Sequence, residues 1–191
     1  MFRRVLWLFL SGFLLFSMTG CEYMKEVFQE AMDPESGKSD DPNSDNYRMR
    51  SVVGVFAIVR YPRASELERE IDTLDGGTIW INTNQLCSSK NIRDARAVSR
   101  PGNPDVFDLM FRLDRSGKLQ WEIMAGNFLD EPVALVIDDH YRGSFIPSPP
   151  KDDDDWVLVR VGIDATSARN VERTAKANYE HMNPDTQNWF R

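Results

Sequence analysis

Few residues of this chain have side chains that could act chemically: two histidines, two cysteines and a run of four aspartates. His140 falls in Asp138-Asp139-His140, which reads as a tight turn, and His181 falls near the end of a helical pattern. Neither has the spacing that places two imidazoles on one helix face to hold a metal. Asp152 to Asp155 offer oxygens of the kind Ca²⁺ prefers, but that ion takes about six to eight of them. Consecutive carboxylates diverge, so the run reads as a solvated charge cluster. Cys87 with either histidine would make a nucleophile and a base, since a reactive thiolate needs a cation or base beside it. Cys87-Ser88-Ser89 supplies no such context, and Cys87 reads as a small buried hydrophobe. The sequence has no Gly-x-Ser-x-Gly elbow, no Gly-rich phosphate loop and no Cys-x-x-Cys. The expectation is a protein without catalytic, metal or cofactor residues, and hence not an enzyme.

Cys21 carries a different chemistry. Arg3 and Arg4 precede an apolar run from Val5 to Met18, which closes in Met18-Thr19-Gly20-Cys21. A basic start, a short apolar stretch and small residues before a cut are the marks of a secretory leader. The run of 14 residues is shorter than the roughly 20 a membrane-spanning helix needs. The four closing residues resemble the lipobox of bacterial lipoproteins. That resemblance implies a signal peptide over 1–20, a diacylglyceryl group on the Cys21 thiol, and Cys21 as the mature N-terminus. Each buried methylene contributes ~0.8 kcal/mol, and two or more chains anchor stably where one is marginal. Palmitate-type chains on Cys21 would then tether the protein to the inner or outer membrane of the cell envelope, with its domain in the periplasm.

Loss of Arg3 and Arg4 with the leader takes the formal net charge from −7 to −9. Nucleic-acid binding depends on Lys and Arg neutralising phosphates, so an acidic chain without a basic stripe is not expected to bind it. With Cys21 acylated, Cys87 is the one thiol left and no intramolecular disulfide can form, so stability must come from packing. The length suits one domain with a full core.

Those residues need a scaffold, and the pattern supplies one. Residues 21–46 comprise the lipidated end, a short amphipathic segment from Glu22 to Met32, and an acidic Asp, Pro, Ser and Asn linker from Asp33 to Asn46. The amphipathic segment either lies on the bilayer or packs on the domain. The folded domain is expected over 47–191. Ser51 to Arg60 reads as a buried strand, and Ala64 to Ile71 as a charged helical segment. Asp75-Gly76-Gly77 reads as a turn before a strand over Thr78 to Asn82. Ile92 to Val98 and Val106 to Leu113 form a hairpin, with Phe107, Leu109, Phe111 and Leu113 on one face. Asp114 or Ser116 caps a helix to Asn127 that turns Leu119 and Ile123, with Trp121 and Met124, toward the sheet. Pro132 to Ile137, Tyr141 to Ile146 and Trp156 to Val161 are strands. A last amphipathic helix carries Ala168, Val171, Ala175, Ala177 or Asn178, and Met182 inward, and stops at Pro184. Strand groups broken by two helices predict an α+β domain, a mainly antiparallel sheet with both helices on one face in a ferredoxin-like arrangement.

From about residue 78 to 180 this order resembles the head subdomain of the first periplasmic region of SecD/SecF protein-export membrane proteins. The matching pieces are Phe111-Arg112-Leu113-Asp114 with Gly117, then Asn127, then Val133-Ala134-Leu135-Val136-Ile137-Asp138. Val157 to Val161, Ile163-Asp164 and the helix with Ala168 and Val171 complete them. Asp139 stands where that family usually has Gly, and Phe145 near a usual Pro. The resemblance implies a SecD-head-like module on a lipid tether, with a protein-contact role and no catalysis.

Exposed aromatics are the candidate partner surface: Tyr141, Trp156, Trp189 and Phe190. The last two either fold back on the sheet or remain free for a partner. The leading expectation is an envelope lipoprotein presenting a non-catalytic domain to an unknown envelope protein. The alternatives are a small-ligand binder or enzyme whose pocket is assembled from distant residues, and an accessory to protein export. The lipid expectation has a direct test. Wild-type chain should take up labelled palmitate and fractionate with membranes, and Cys21→Ser should take up none; label retained by Cys21→Ser would refute acylation at this thiol.

Overall fold

A computed structural model describes residues 39–63, 65–150 and 155–184. The leader, Cys21, the amphipathic segment 22–32, Asp152 to Asp154, Trp189 and Phe190 lie outside the described residues. Eight strands and two α-helices are described: β1 (Val53–Ile58), β2 (Glu68–Asp72), β3 (Thr78–Ser88), β4 (Ile92–Arg100), β5 (Asn103–Leu113), α1 (Arg115–Asn127), β6 (Val133–Ile137), β7 (His140–Phe145), β8 (Trp156–Asp164) and α2 (Ala165–Met182). A one-turn 3₁₀ helix at Ser89–Asn91 joins β3 to β4.

The α+β architecture with antiparallel strands and two helices is as the pattern predicts, and every strand pairing is antiparallel. The strands divide between two sheets, a five-stranded one in the order β2-β3-β1-β6-β7 and a three-stranded one in the order β4-β5-β8. One core lies between them. Val53, Val55, Val133, Leu135 and Ile137 meet Ala95, Leu109, Phe111, Val157 and Val159, with Trp121 and Met124 from α1 and Ala168, Val171 and Ala175 from α2. β6 is buried at all five positions because its alternate residues, Ala134 and Val136, join a second cluster with Phe56, Ile71 and Ile81. Such two-sided burial is what a continuous apolar run encodes.

Two sequence expectations are corrected. The charged segment read as helical over 64–71 instead yields β2, an edge strand whose one buried side chain is Ile71. Glu68, Arg69, Glu70 and Asp72 suit an edge, where charge discourages pairing with another chain. On α1 the expected inward pair is outward: Leu119 is 58% and Ile123 55% exposed, and Gly117, Trp121, Met124 and Ala125 are the buried stripe. A Cβ at Gly117 would lie 2.8 Å from Asn91 Cβ and 2.9 Å from Asn91 O, so glycine there lets α1 approach the 3₁₀ turn. Strands also run further than the pattern suggests, β3 to Ser88 and β8 to Asp164.

The helix caps are built from aspartates. Asp114 accepts a hydrogen bond from Gly117 N (2.6 Å) and Asp164 one from Ser167 N (2.8 Å). The Ser167 hydroxyl and amide hold the Asp164 carboxyl below its ordinary value. Between β6 and β7, Asp138 (φ 50°) and Asp139 (φ 63°) form a two-residue turn in the left-handed region. The Asp138 carboxylate accepts from Ser51 N (3.0 Å) and Val52 N (2.8 Å), fixing the entry to β1. The compact unit that holds the strands and helices begins at Asp40. Tyr47 donates from its hydroxyl to Asn178 Oδ1 (3.2 Å), and His181 donates from Nδ1 to Pro42 O (3.0 Å).

Cys87 is buried on β3, and burial pushes its thiol up from 9.0 to about 12. An unfolded chain releases that proton first, so its contribution to stability is complete below pH 9.0 and is lost as pH rises toward about 12. The loss amounts to at most about 1.4 kcal/mol per pH unit. Cys87→Ala should flatten the pH dependence of the urea midpoint in that window relative to wild type. An unchanged slope would show that the thiol does not couple to folding.

Candidate functional site

The chemistry-bearing side chains do not converge. His140 sits exposed in the hairpin turn, donating from Nδ1 to Asp138 O (2.6 Å), and His181 is engaged with Pro42 O and the Tyr47 ring. Among the described residues no three of His, Cys, Asp or Glu gather in a way that could hold a metal ion. No helix among them is long and apolar enough to cross a membrane.

What does converge is the outer face of the three-stranded sheet. Alternation along β5 turns Phe107, Leu109, Phe111 and Leu113 into the core, so Asp108, Met110 and Arg112 face out. The register then sets three rows across the sheet. Asp94, Arg112 and Trp156 form the first, and Arg96, Met110 and Leu158 the second. Val98 and Asp108 form the third, with Arg160 following on β8. Both helices pack on the inner side, through Trp121 and Met124 and through Ala168, Val171 and Ala175. Leu158 and Val98 are each 37% exposed. The Arg96 guanidinium lies 4.4 Å from the centre of the half-buried Trp156 ring. A cation over an indole is worth about 0.5–2 kcal/mol, so Arg96 both shields the ring and holds its own charge in place.

One polar device stiffens this face. Arg100 donates from Nε to Asp108 Oδ2 (3.2 Å) and from Nη2 to Oδ1 (2.5 Å), and Gly162 N donates to the same Oδ1 (3.1 Å). Gly162 has φ 73°, and a Cβ there would lie 3.1 Å from the guanidinium. Glycine at 162 therefore leaves the guanidinium the space to reach Asp108.

Beside this face runs a groove. β7 and β8 are edge strands of different sheets and touch at Gly143, where a Cβ would lie 2.6 Å from Val161 Cγ1. Between Ser144–Ile146 on one side and Trp156–Leu158 on the other they enclose about 910 Å³, rimmed by Pro149 and Pro150. Its wall is held from below: the buried Trp121 indole stacks on Phe145 (centroids 5.8 Å apart) and donates from Nε1 to Ser148 O (2.9 Å).

Of the aromatics singled out in the sequence, the structure places Trp156 on the outer face and at the groove. Tyr141 lies elsewhere, half-buried against the second cluster with Ile58 and Ile79. Tyr141 and Trp156 thus do not share a surface, and Trp189 and Phe190 are outside the described residues. The sequence pattern singles out none of Arg96, Met110, Leu158 and Arg160 for this face, although the alternation that buries Phe111 already turns Met110 outward.

No protein-family model and no curated protein matches the chain. Solved structures of SecDF do. A chain from a study of the membrane component SecDF that enhances protein export aligns at 14% identity and TM-score 0.48, over 68% of this chain and 63% of that one. SecDF in a super-membrane-facing form aligns at 13% and TM-score 0.48, over 68% of this chain and 19% of that one. The translocon-associated SecDF of Thermus thermophilus aligns at 10% and TM-score 0.32, over 83% and 34%. The chain spans less than two thirds of the length of each of these solved chains. The chain is similar to solved SecDF structures over 68–83% of its length, at 10–14% identity.

Trp121→Phe keeps the stack on Phe145 and removes the bond to Ser148 O. It should cost about 2–3 kcal/mol, the lost hydrogen bond together with the cavity left by the smaller ring, and speed amide exchange in β7 and in residues 146–148 more than in β1. Uniform acceleration, or none, would show that the indole does not hold the groove wall.

Proposed function

We propose that this chain is a lipid-anchored envelope protein whose α+β domain binds another protein through the outer face of β4, β5 and β8, without catalysing a reaction. The observation that carries the reading is the composition of that face. In a chain of net charge −7, one sheet surface that neither described helix covers gathers Arg96, Arg112 and Arg160 around Trp156, Met110 and Leu158, with Asp94 as an acidic neighbour. Arginine, tryptophan and methionine are the types enriched at protein interfaces, because they pair large contact area with polar or adaptable groups. A partner with acidic and apolar side chains complements the face, and its approach is favoured by the local positive charge. The activity of SecDF is not carried over, since likeness of fold does not carry function.

The anchor reading rests on Cys21 and the leader before it, and it confines the partner to the same envelope compartment. A photocrosslinking residue at Leu158 in intact cells should give a discrete protein adduct. Reversing charge with Arg96→Glu and Arg160→Glu should remove that adduct, and the same residue at Leu119, exposed on α1, should give none. An adduct pattern at Leu158 no different from that at Leu119, or unmoved by charge reversal, would overturn the reading.

A further inference from the structure

The end of α2 and one end of the groove between β7 and β8 lie at the same end of the three-stranded sheet. Ile92 pairs with Leu113 and Arg112 with Trp156, which brings the first residues of β4 and β8 and the last of β5 together there. The last turn of α2 is bonded to that end. Asn183 donates from Nδ2 to Lys90 O (2.9 Å), two residues before β4, and the Tyr179 hydroxyl donates to Asp114 Oδ2 (3.3 Å), one residue after β5. Leu113 N in turn donates to Asp155 O (2.9 Å), the neighbour of the groove residue Trp156. The last described residue, Pro184, therefore leaves the fold close to the Trp156 end of the groove. Beyond it come the polar residues Asp185, Thr186, Gln187 and Asn188, and then two aromatics, Trp189 and Phe190. Five extended residues span roughly 17 Å, and the indole adds its own length to that reach.

We propose that Trp189 and Phe190 dock in this groove of their own chain. Its lining suits a pair of rings: Phe145, Ile146, Val157 and Leu158 are apolar, Pro149 and Pro150 present flat faces, and the single charged side chain is Arg160. Ile146 is 55% and Leu158 37% exposed, so both walls keep apolar area to be covered. An aromatic side chain buries about 150–250 Å², and the groove volume of about 910 Å³ lies within the roughly 300–1,000 Å³ of pockets that enclose largely apolar groups. Proximity does the rest. A segment joined by so short a connection meets its site at an effective concentration on the order of millimolar, so contacts too weak to hold a separate peptide hold this one. The docked pair covers Met110 and Leu158, which belong to the face proposed for a partner protein, so tail and partner exclude one another. Only that consequence rests on the interaction reading; the docking itself does not.

The test places a photocrosslinking residue at Phe190 of the purified full chain in a neutral detergent and maps its adducts by peptide mass spectrometry. Adducts within the chain to residues 144–150 and 156–160 are expected. Leu158→Lys, at a position already partly exposed, should remove them, and Leu74→Lys, in the turn between β2 and β3, should leave them unchanged. Thermal unfolding of each variant shows whether it is folded. Mixing isotope-labelled with unlabelled chain separates adducts within a chain from those between chains. A second measurement alters no described residue: Trp189→Ala together with Phe190→Ala should speed amide exchange in 144–150 and 156–158 severalfold relative to β1. Adducts formed only between chains would give the groove to a second copy and overturn the proposal. Adducts spread evenly along the chain, none at all, or adducts undiminished in folded Leu158→Lys would overturn it as well, and so would amide exchange that the double substitution leaves unchanged. No partner protein is present in these experiments, so their failure is separate from any failure of the interaction reading.

Discussion

The 3₁₀ turn at Ser89–Asn91 is the constraint on which both sheets depend. β3 ends at Ser88 in one sheet and β4 begins at Ile92 in the other, so the chain changes sheets within three residues. Backbone polar groups at such a change are cut off from both ladders and must find partners elsewhere. They do so by drawing the rest of the domain in. Ser89 Oγ accepts from Val53 N (2.8 Å), Asn91 O from Asp114 N (3.0 Å), and Lys90 O from Asn183 Nδ2 (2.9 Å). The start of β1, the cap of α1 and the end of α2 are thus bonded to one turn, and Gly117 leaves the space for α1 to close on it. Ser89 and Asn91 are buried polar residues for this reason, and their bonds offset the cost of removing them from water.

How much of this was legible follows from what each residue pattern can encode. The apolar run of β6 and the inward stripe of α2 were readable because burial on two faces and on one face leave different periods. β2 was not, because Leu67 and Ile71 stand four apart among charges, a spacing that fits a helix as well as an edge strand. The face of α1 was ambiguous in the same way. Leu119 and Ile123 offer one stripe and Trp121 with Met124 another, and the choice is made by contacts far away in sequence. Gly117 fits against Asn91, and the Trp121 indole finds Ser148 O. Only the second stripe satisfies both, and Leu119 and Ile123 are left exposed. Asp138 and Asp139 take up positive φ in the turn, a region that a non-Gly residue enters only at some steric cost.

The candidate surface was half legible. Alternation alone assigns Asp108, Met110 and Arg112 to the side away from the core, but it does not show that both described helices pack on the other side. It also does not show that β4 and β8 bring Arg96, Leu158 and Arg160 into the same rows. Those facts come from register and from the helices' choice of the inner face. Tyr141 and Trp156 are both exposed-looking aromatics at strand starts, yet the division into two sheets sends them to different surfaces. A sequence read as one sheet cannot separate them.

The same division creates the groove. Had β7 and β8 paired, the domain would have one continuous sheet and no free edge between them. Gly143, at φ 144°, lets the edges touch against Val161, and beyond that point their backbones part. An open edge is a liability for aggregation unless it is covered or charged. Here Arg160 and the proline-containing segment after β7 guard it, and the buried Trp121 fixes that segment in place. The side chain that most fills the core therefore also sets the shape of the surface furthest from it in function. A packing change at Trp121 would be felt in the groove before it was felt in the outer rows of Arg96, Met110 and Leu158, which are held by the strand ladder itself.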